Sequence, residues 1–362
     1  MKGNEIQMST TSPYVSILIL NYNAVEITLR CIKAIKRYTF GTPYEIIVID
    51  NGSRPVLQKK LWHELRELDA LITRIGYQQN LGFAKAYNRA VKKTKGNICI
   101  FLNNDTVVSA GWLKPLVRTL GKNARIAVCQ PKLRSLMTKD DFDYAGGCGG
   151  FLDILGYPFT RGRIFNHVEK DIGQYDSVTD VAWASGACFA VSKPAFEEVG
   201  GFDEYFFVYG EEVDLCIRLQ FADYRIISVP QSLVYHQGAY TSNQNEAAKI
   251  FFIHLNHLYL FCKYYSLIPY FPLYVVRFIF DLLSLVYYLT EGKPRFVFAV
   301  VRAYFVFAQD LPHFIKTRII SLRGRSLMRL PTVFPRSVVI DYFILGKTSF
   351  QALIQKSYYP YN

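Results

Sequence analysis

Three short, almost uninterrupted apolar runs, YVSILIL (14–20), YEIIVID (44–50) and NICIFLN (97–103), each stop at asparagine or aspartate. A strand that is apolar at nearly every position has both faces covered, and helices are what cover them. Helical patterns lie between the runs, from about Ala24 to Tyr38 and from Pro55 to Leu68, with a weaker strand near Leu71 to Ile75. Strands alternating with helices predict an α/β chain built on a mostly parallel, doubly wound sheet. Ligands of such sheets bind beyond the carboxyl ends of the strands. Asn21, Asp50 and Asp105 all fall there.

Each of these residues alone is ordinary punctuation after a strand. Three at one sheet edge mark a place where a nucleotide can lie. Asp50 is suited to accept from a base or ribose donor. Asp105 is suited to a hard Mg²⁺ or Mn²⁺ that bridges phosphates, because such ions prefer carboxylate and phosphate oxygen. No GxxxxGKS or GxGxxG sequence occurs, which disfavours P-loop and dinucleotide binding.

Residues 111–180 are less regular. A helix is expected from about Trp112 to Leu120 and a strand from Arg125 to Gln130, followed by a glycine-rich loop, DYAGGCGGFLD (143–153), suited to covering an acceptor. Further on, GGFDEYFFVYGEEVDLCIRL (200–219) delivers Glu211, Glu212 and Asp214 to the start of a helix. Carboxylates suit a helix N-terminus, and Asp214 can pair with Arg218 one turn on, so a purely structural reading exists. Against it, Gly200, Gly201 and Gly210 permit sharp turns, and Phe202, Tyr205, Phe206, Phe207 and Tyr209 could wall the acids from water. A carboxylate in such surroundings gains proton affinity and can act as a general base. A strand over YRIISVP (224–230) then leads to His236, which gains functional weight if it faces Asp105.

The texture changes near residue 246. The net charge of +13 is uneven: residues 246–362 carry 14 Lys plus Arg against 5 Asp plus Glu. The stretch 268–290 is long enough to span a bilayer but is interrupted by Arg277 and Asp281, and ions in mid-span are costly. Helices lying in the interface or a re-entrant hairpin are therefore expected, with Lys293, Arg295, Arg302, Lys316, Arg318, Arg323 and Arg325 meeting an anionic membrane surface. An ordinary helical bundle or a homodimer face is the alternative. Nucleic acid is disfavoured, because the cations are interleaved with long apolar helices. The seven scattered cysteines form no CxxC pair, and the polar N-terminus lacks an apolar signal core, so a cytoplasmic setting is expected. The expected division is a disordered 1–13, a nucleotide-binding half (14–110), an acceptor and catalytic half (111–245) and a membrane-associating helical region (246–362).

As an ordered set, ILILNYN (17–23), VIDNGS (48–53), NLGFAKAYNRA (80–90), FLNNDT (101–106), WASGACFAVSKPAFEEVGGFDEYFFVYGEEVDLCIRL (183–219) and VYHQGAY (234–240) resemble the inverting glycosyltransferases of family 2, especially their rhamnosyltransferase-like branch. The resemblance implies a GT-A fold, a nucleotide-diphosphate sugar donor such as dTDP-rhamnose or a UDP-sugar, a divalent metal, and a polyprenyl-diphosphate-linked glycan acceptor at the cytoplasmic face of the membrane. It places Asn21, Asp50, Asn80, Asn103, Asn104, Trp183 and Gly186 at the donor, and Asp105 and His236 at the metal. Glu212 falls at the catalytic base, with Glu211 the rival for that role and Asp214 and Arg218 in support. Two departures stand out: Asn103-Asn104-Asp105 replaces paired aspartates, and the base position holds Glu where Asp is commoner. The competing expectation is a catalytically silent nucleotide-sugar-binding or scaffold protein.

Overall fold

The computed structural model describes residues 14–238, 246–265, 267–322 and 325–354. The segment 1–13, Ala239 and Tyr240 of the VYHQGAY motif, and Arg323 lie outside the described residues.

The first four strands follow the apolar runs: β1 (Val15–Asn21), β2 (Tyr44–Asn51), β3 (Thr73–Tyr77) and β4 (Ile98–Asn103). They are parallel, in the order β3-β2-β1-β4, with Asn21 opposite Asp50 and Asp50 opposite Gly76. Helices α1 (Val25–Tyr38), α2 (Pro55–Leu68) and α3 (Gly82–Val91) connect them. Alternate strand residues serve opposite faces. Ile17, Ile19, Val48, Ile100 and Leu102 pack toward α1, while Leu18, Ile47, Ile49, Cys99 and Phe101 pack toward α3. Both faces are covered, so a two-residue side-chain period still reads as continuous apolar sequence.

Next come β5 (Thr106–Val108), α4 (Leu113–Lys122) and β6 (Ile126–Ser135). The excursion that follows builds a small second sheet from β7 (Gly150–Asp153), β8 (Pro158–Thr160), β9 (Arg163–Ile164) and β10 (His167–Val168). The chain then returns through β11 (Thr179–Asp180), β12 (Cys188–Ser192), α5 (Lys193–Glu198), α6 (Glu211–Phe221) and β13 (Arg225–His236). These strands extend the main sheet as β4-β12-β6-β13-β11. β12 runs antiparallel to both of its neighbours, which makes the sheet mixed. The two halves expected at 14–110 and 111–245 therefore share one sheet.

The C-terminal region consists of α7 (Glu246–Tyr264), α8 (Leu267–Thr290) and α9 (Pro294–Leu322), then β14 (Val333–Phe334), α10 (Val338–Phe343) and α11 (Phe350–Leu353). It is less separate than its composition suggests. β14 adds to the second sheet beside β7, and Tyr259, Leu260 and Tyr264 of α7 belong to the same core as Phe101 and Leu215.

Candidate active site

The polar residues at the ends of β1 and β2 brace each other. Asn21 Nδ2 donates to Asp50 Oδ1 at 2.7 Å, and its Oδ1 accepts from Thr28 at 2.8 Å. Asp50 Oδ2 accepts from the Ser53 N–H and from Gln58 Nε2. Both residues are fully buried. Strand-end pairing turns the Asn21 and Asp50 side chains toward each other, and Gln58 covers the carboxylate. Asn80 is exposed, and its Oδ1 accepts from Asn51 and from the Gly82 N–H, closing the turn into α3. Asn51 was missed from sequence, where it read as a turn residue. It also binds the Leu81 N–H and the Gly82 carbonyl.

At the end of β4, the Asn103 N–H donates to the Ala187 carbonyl, and Asn104 Nδ2 donates to Thr28. β5 then pairs with the last residues of β13, setting Thr106 opposite His236. Asp105 Oδ1 lies 3.1 Å from His236 Nε2, and Asp143 Oδ1 lies 3.1 Å from Nδ1. All three side chains are buried. Burial alone would drive the imidazolium pKa down, but Asp143 and Asp105 outweigh it and hold it up at about 10. Asp105 shows the complementary balance: burial pushes its carboxyl up, and His236 pulls it below the ordinary value. Two buried side-chain carboxyl groups thus share one imidazole.

One carboxylate and one imidazole form a thin donor set, and among the described residues no group of three or more His, Cys, Asp or Glu is arranged to hold an ion. The set fits a hard divalent cation only once His236 gives up its Nε2 proton and its contact with Asp105, and such an ion takes its remaining ligands from substrate oxygen and water. Asp143, on the second imidazole nitrogen, suits the carboxylate–histidine arrangement that orients a ligating ring.

A second acidic site forms where the backbone turns left-handed at Tyr209 (φ 68°) and Gly210 (φ 88°) to start α6. Glu211 is buried, and its Oε2 has no hydrogen-bond partner. Burial first, and Glu212 second, push its pKa well above the usual carboxylate range. Glu212 is half-buried and accepts the Gly210 N–H at 3.0 Å and the Gly186 N–H. Burial raises its pKa as well, against the pull of its own backbone N–H and of those two donors. Between neighbouring acids that resist ionising together, the one with an orphaned oxygen keeps its proton and the one with two donors carries the charge.

One contour of contacts joins the two sites. Asp143 opens the glycine-rich loop that reaches Ser185, whose hydroxyl donates to the Ala145 carbonyl at 3.0 Å. A Cβ at Gly146 would lie 2.4 Å from that of Ser185, so only glycine lets the loop settle there. A Cβ at the next residue, Gly186, would lie 3.8 Å from Glu212 Oε1. The path therefore runs from Asp105 through His236, Asp143, Ala145, Ser185 and Gly186 to Glu212. The Asn103–Ala187 hydrogen bond spans it from the other side. Trp183 lies off this contour. It is buried, donates to the Phe151 carbonyl and lies against Gly150, wedged where the second sheet meets the first.

The loop before α6 is held from both sides. Asn88 of α3 pairs with the backbone of Phe202 through both amide atoms, and the Phe83 N–H donates to the Phe207 carbonyl. From α7, Asn256 donates to the carbonyls of Val208 and Tyr209. Lys263 reaches Asp203 at 2.8 Å and Asp214 at 2.6 Å. Asp214 also binds Arg218 at 2.7 Å, so the expected pair forms and gains a second cation. Burial would raise the Asp214 pKa, but Arg218 and Lys263 bring it down to about 2. Of the aromatic run, Phe202 and Phe206 go inside, whereas Tyr205 stacks on His313 and Phe207 on Phe252. Asp143, Asn256 and Lys263 were not singled out from sequence, since nothing local marks them.

The model of the family described as Glycosyl transferase family 2 matches residues 16–200, just over half of the chain. The chain belongs to glycosyltransferase family 2. Within the family's reach, the N-acetylglucosaminyl-diphospho-decaprenol L-rhamnosyltransferase of Mycobacterium tuberculosis is 26% identical over 227 residues, 58% of this chain and 71% of that protein. The O-antigen biosynthesis protein RfbC of Myxococcus xanthus is 26% identical over 233 residues, 63% of this chain. The human polypeptide N-acetylgalactosaminyltransferase 13 is 24% identical over 218 residues, 57% of this chain. This glycosyltransferase chain spans 18% of RfbC's length and 38% of the human enzyme's. Among solved structures, GalNAc-T7 with UDP, GalNAc and Mn²⁺ superposes with a TM-score of 0.52 at 20% identity, over 63% of this chain and 44% of that one. The likeness shows the GT-A fold.

Proposed function

We propose that this family-2 glycosyltransferase transfers a sugar, rhamnose being the leading choice, from a nucleotide-diphosphate donor such as dTDP-rhamnose or a UDP-sugar. The acceptor is a hydroxyl of a polyprenyl-diphosphate-linked glycan used in surface polysaccharide synthesis. The names of the rhamnosyltransferase and O-antigen relatives support that choice. The observation that carries the reading is the single contour from Asp105 to Glu212, which sets a charge-holding site and a proton-accepting site on one sheet edge.

In this reaction Glu212 takes the proton of the acceptor hydroxyl. The oxygen attacks the anomeric carbon as the bond to the diphosphate breaks on the opposite face, so configuration inverts and a nucleoside diphosphate leaves. Asp105 and His236 would hold Mg²⁺ or Mn²⁺, which when bound supplies positive charge to the departing diphosphate. Asn80, Asn103 and Asn104 lie at the strand ends where the donor would bind, and Gly186 keeps space beside the base. Residues 14–110 serve the nucleotide, 111–245 the acceptor and base, and 246–362 the cytoplasmic face of an anionic membrane.

Incubating the purified protein with a panel of nucleotide sugars, Mg²⁺ or Mn²⁺ and a lipid-linked acceptor, then measuring released nucleoside diphosphate, tests this. Acceptor-dependent release that Glu212→Gln removes is the expected result. Release from no donor, or release unchanged in Glu212→Gln, overturns it.

A further inference from the structure

Pro269–Thr290 of α8 is long and apolar enough to cross a membrane, yet only 11% of its apolar window is buried. Its amphipathicity is inverted. Phe271, Val275, Phe278, Leu282, Val286 and Leu289 recur at three- and four-residue intervals and are all exposed. The opposite stripe carries the charges, and these are buried against protein. Arg277 donates to the Leu155 carbonyl at 3.2 Å and lies 3.9 Å from the Tyr157 ring centroid. Asp281 accepts from Tyr304 at 2.7 Å and lies 3.4 Å from His254. α9 continues the outward surface with Phe298, Val301 and Phe305, and Phe278 meets Tyr304 across the two helices at 6.1 Å. A soluble protein does not leave so continuous an apolar stripe in water, whereas a lipid-facing helix turns its ions inward in this way.

We propose that α8 and α9 lie flat in one leaflet of an anionic bilayer and that α8 does not cross it. A spanning α8 would have to leave Leu155 and Tyr157, which belong to the second sheet's turn, and carry Arg277 and Asp281 into hydrocarbon. The occupant is a lipid surface and not a second copy of the chain, because exposed Arg295 and Lys293, the latter 3.5 Å from Glu291, leave the fringe of the stripe net positive. Two such fringes repel each other, while anionic head groups attract both. The proposal adds a mode of insertion to the membrane placement above and is independent of glycosyl transfer.

The test uses the full chain with sealed vesicles of phosphatidylcholine, with and without phosphatidylglycerol. Single cysteines are introduced as P269C, in the first turn of α8, and E291C, just past its end, and the native cysteines are all buried. An impermeant maleimide added outside is expected to label both positions on vesicle-bound protein. Co-flotation is expected to fall at least tenfold in F278D/L282D and to lose its dependence on phosphatidylglycerol in K293E/R295E. Unchanged thermal unfolding shows that each variant folds. Protection of either introduced cysteine, undiminished flotation of F278D/L282D, or a concentration-dependent dimer that excludes lipid overturns the proposal.

Discussion

The two acidic sites stand on the same sheet edge and are built on opposite electrostatics. Around His236, two buried carboxyl groups flank one imidazolium, and they hold its charge against burial. At the start of α6, buried Glu211 and half-buried Glu212 adjoin with no ion pair to either among the described residues, and burial raises both pKa values. On the proposed reading, one site holds charge and the other exchanges a proton. Burial alone decides neither role; the partner does.

The contrast breaks most directly at Glu212. Glu212→Gln is expected to lower kcat roughly 10²–10⁴-fold, the range for a lost general base, with donor affinity retained. Glu211→Gln should leave turnover within a few-fold, and equal losses in the two variants, read by steady-state kinetics, would erase the distinction between them. On the charged side, Asp143→Asn should weaken metal-dependent donor binding by about 10–100-fold, as loss of a carboxylate behind a ligating histidine does. Calorimetric titration with donor and Mn²⁺ reads this, and Asp105→Ala should cost at least as much.

The pH dependence sharpens the comparison. An unfolded chain releases the Glu211 proton near the ordinary 4.5, whereas the folded chain holds it to a higher pH. Stability is therefore lost as pH rises from 4.5 toward the folded value. Glu211→Gln should raise Tm at pH 7 relative to wild type, with the gain vanishing below pH 4.5 in a thermal-unfolding series. A smaller effect is expected at Asn256→Ala, roughly 1–3 kcal/mol if the carbonyls of Val208 and Tyr209 lose their donor. Denaturant unfolding measures it, and a fall in kcat at constant KM shows that the left-handed turn before Glu211 has loosened.

The parallel strands were legible because apolar runs with helices between them admit few other arrangements. The polar residues at their ends were legible in position but not in direction: Asn21 and Asp50 sit at the binding edge and face each other. The placement of β12 between β4 and β6 was hidden, since antiparallel insertion into a parallel sheet leaves no local trace. The charge-holding site showed the same limit. Asp105 and His236 stood out, while Asp143, within a loop read mainly for its glycines, supplies the other half of the histidine's partners. In α8, Arg277 and Asp281 read as obstacles to lipid because sequence spacing gives the relative angle of a charge and not which side meets protein.

Lys263 has a bearing on how such chains can be recombined. It neutralises Asp214 from 49 positions downstream, beyond the last residue of the family match. A chimera joined near residue 245 would keep Arg218 on the acid but lose its second cation unless the donor tail brings one to the same place. The unit that evolution or an engineer can exchange is thus larger than the stretch by which the family is recognised.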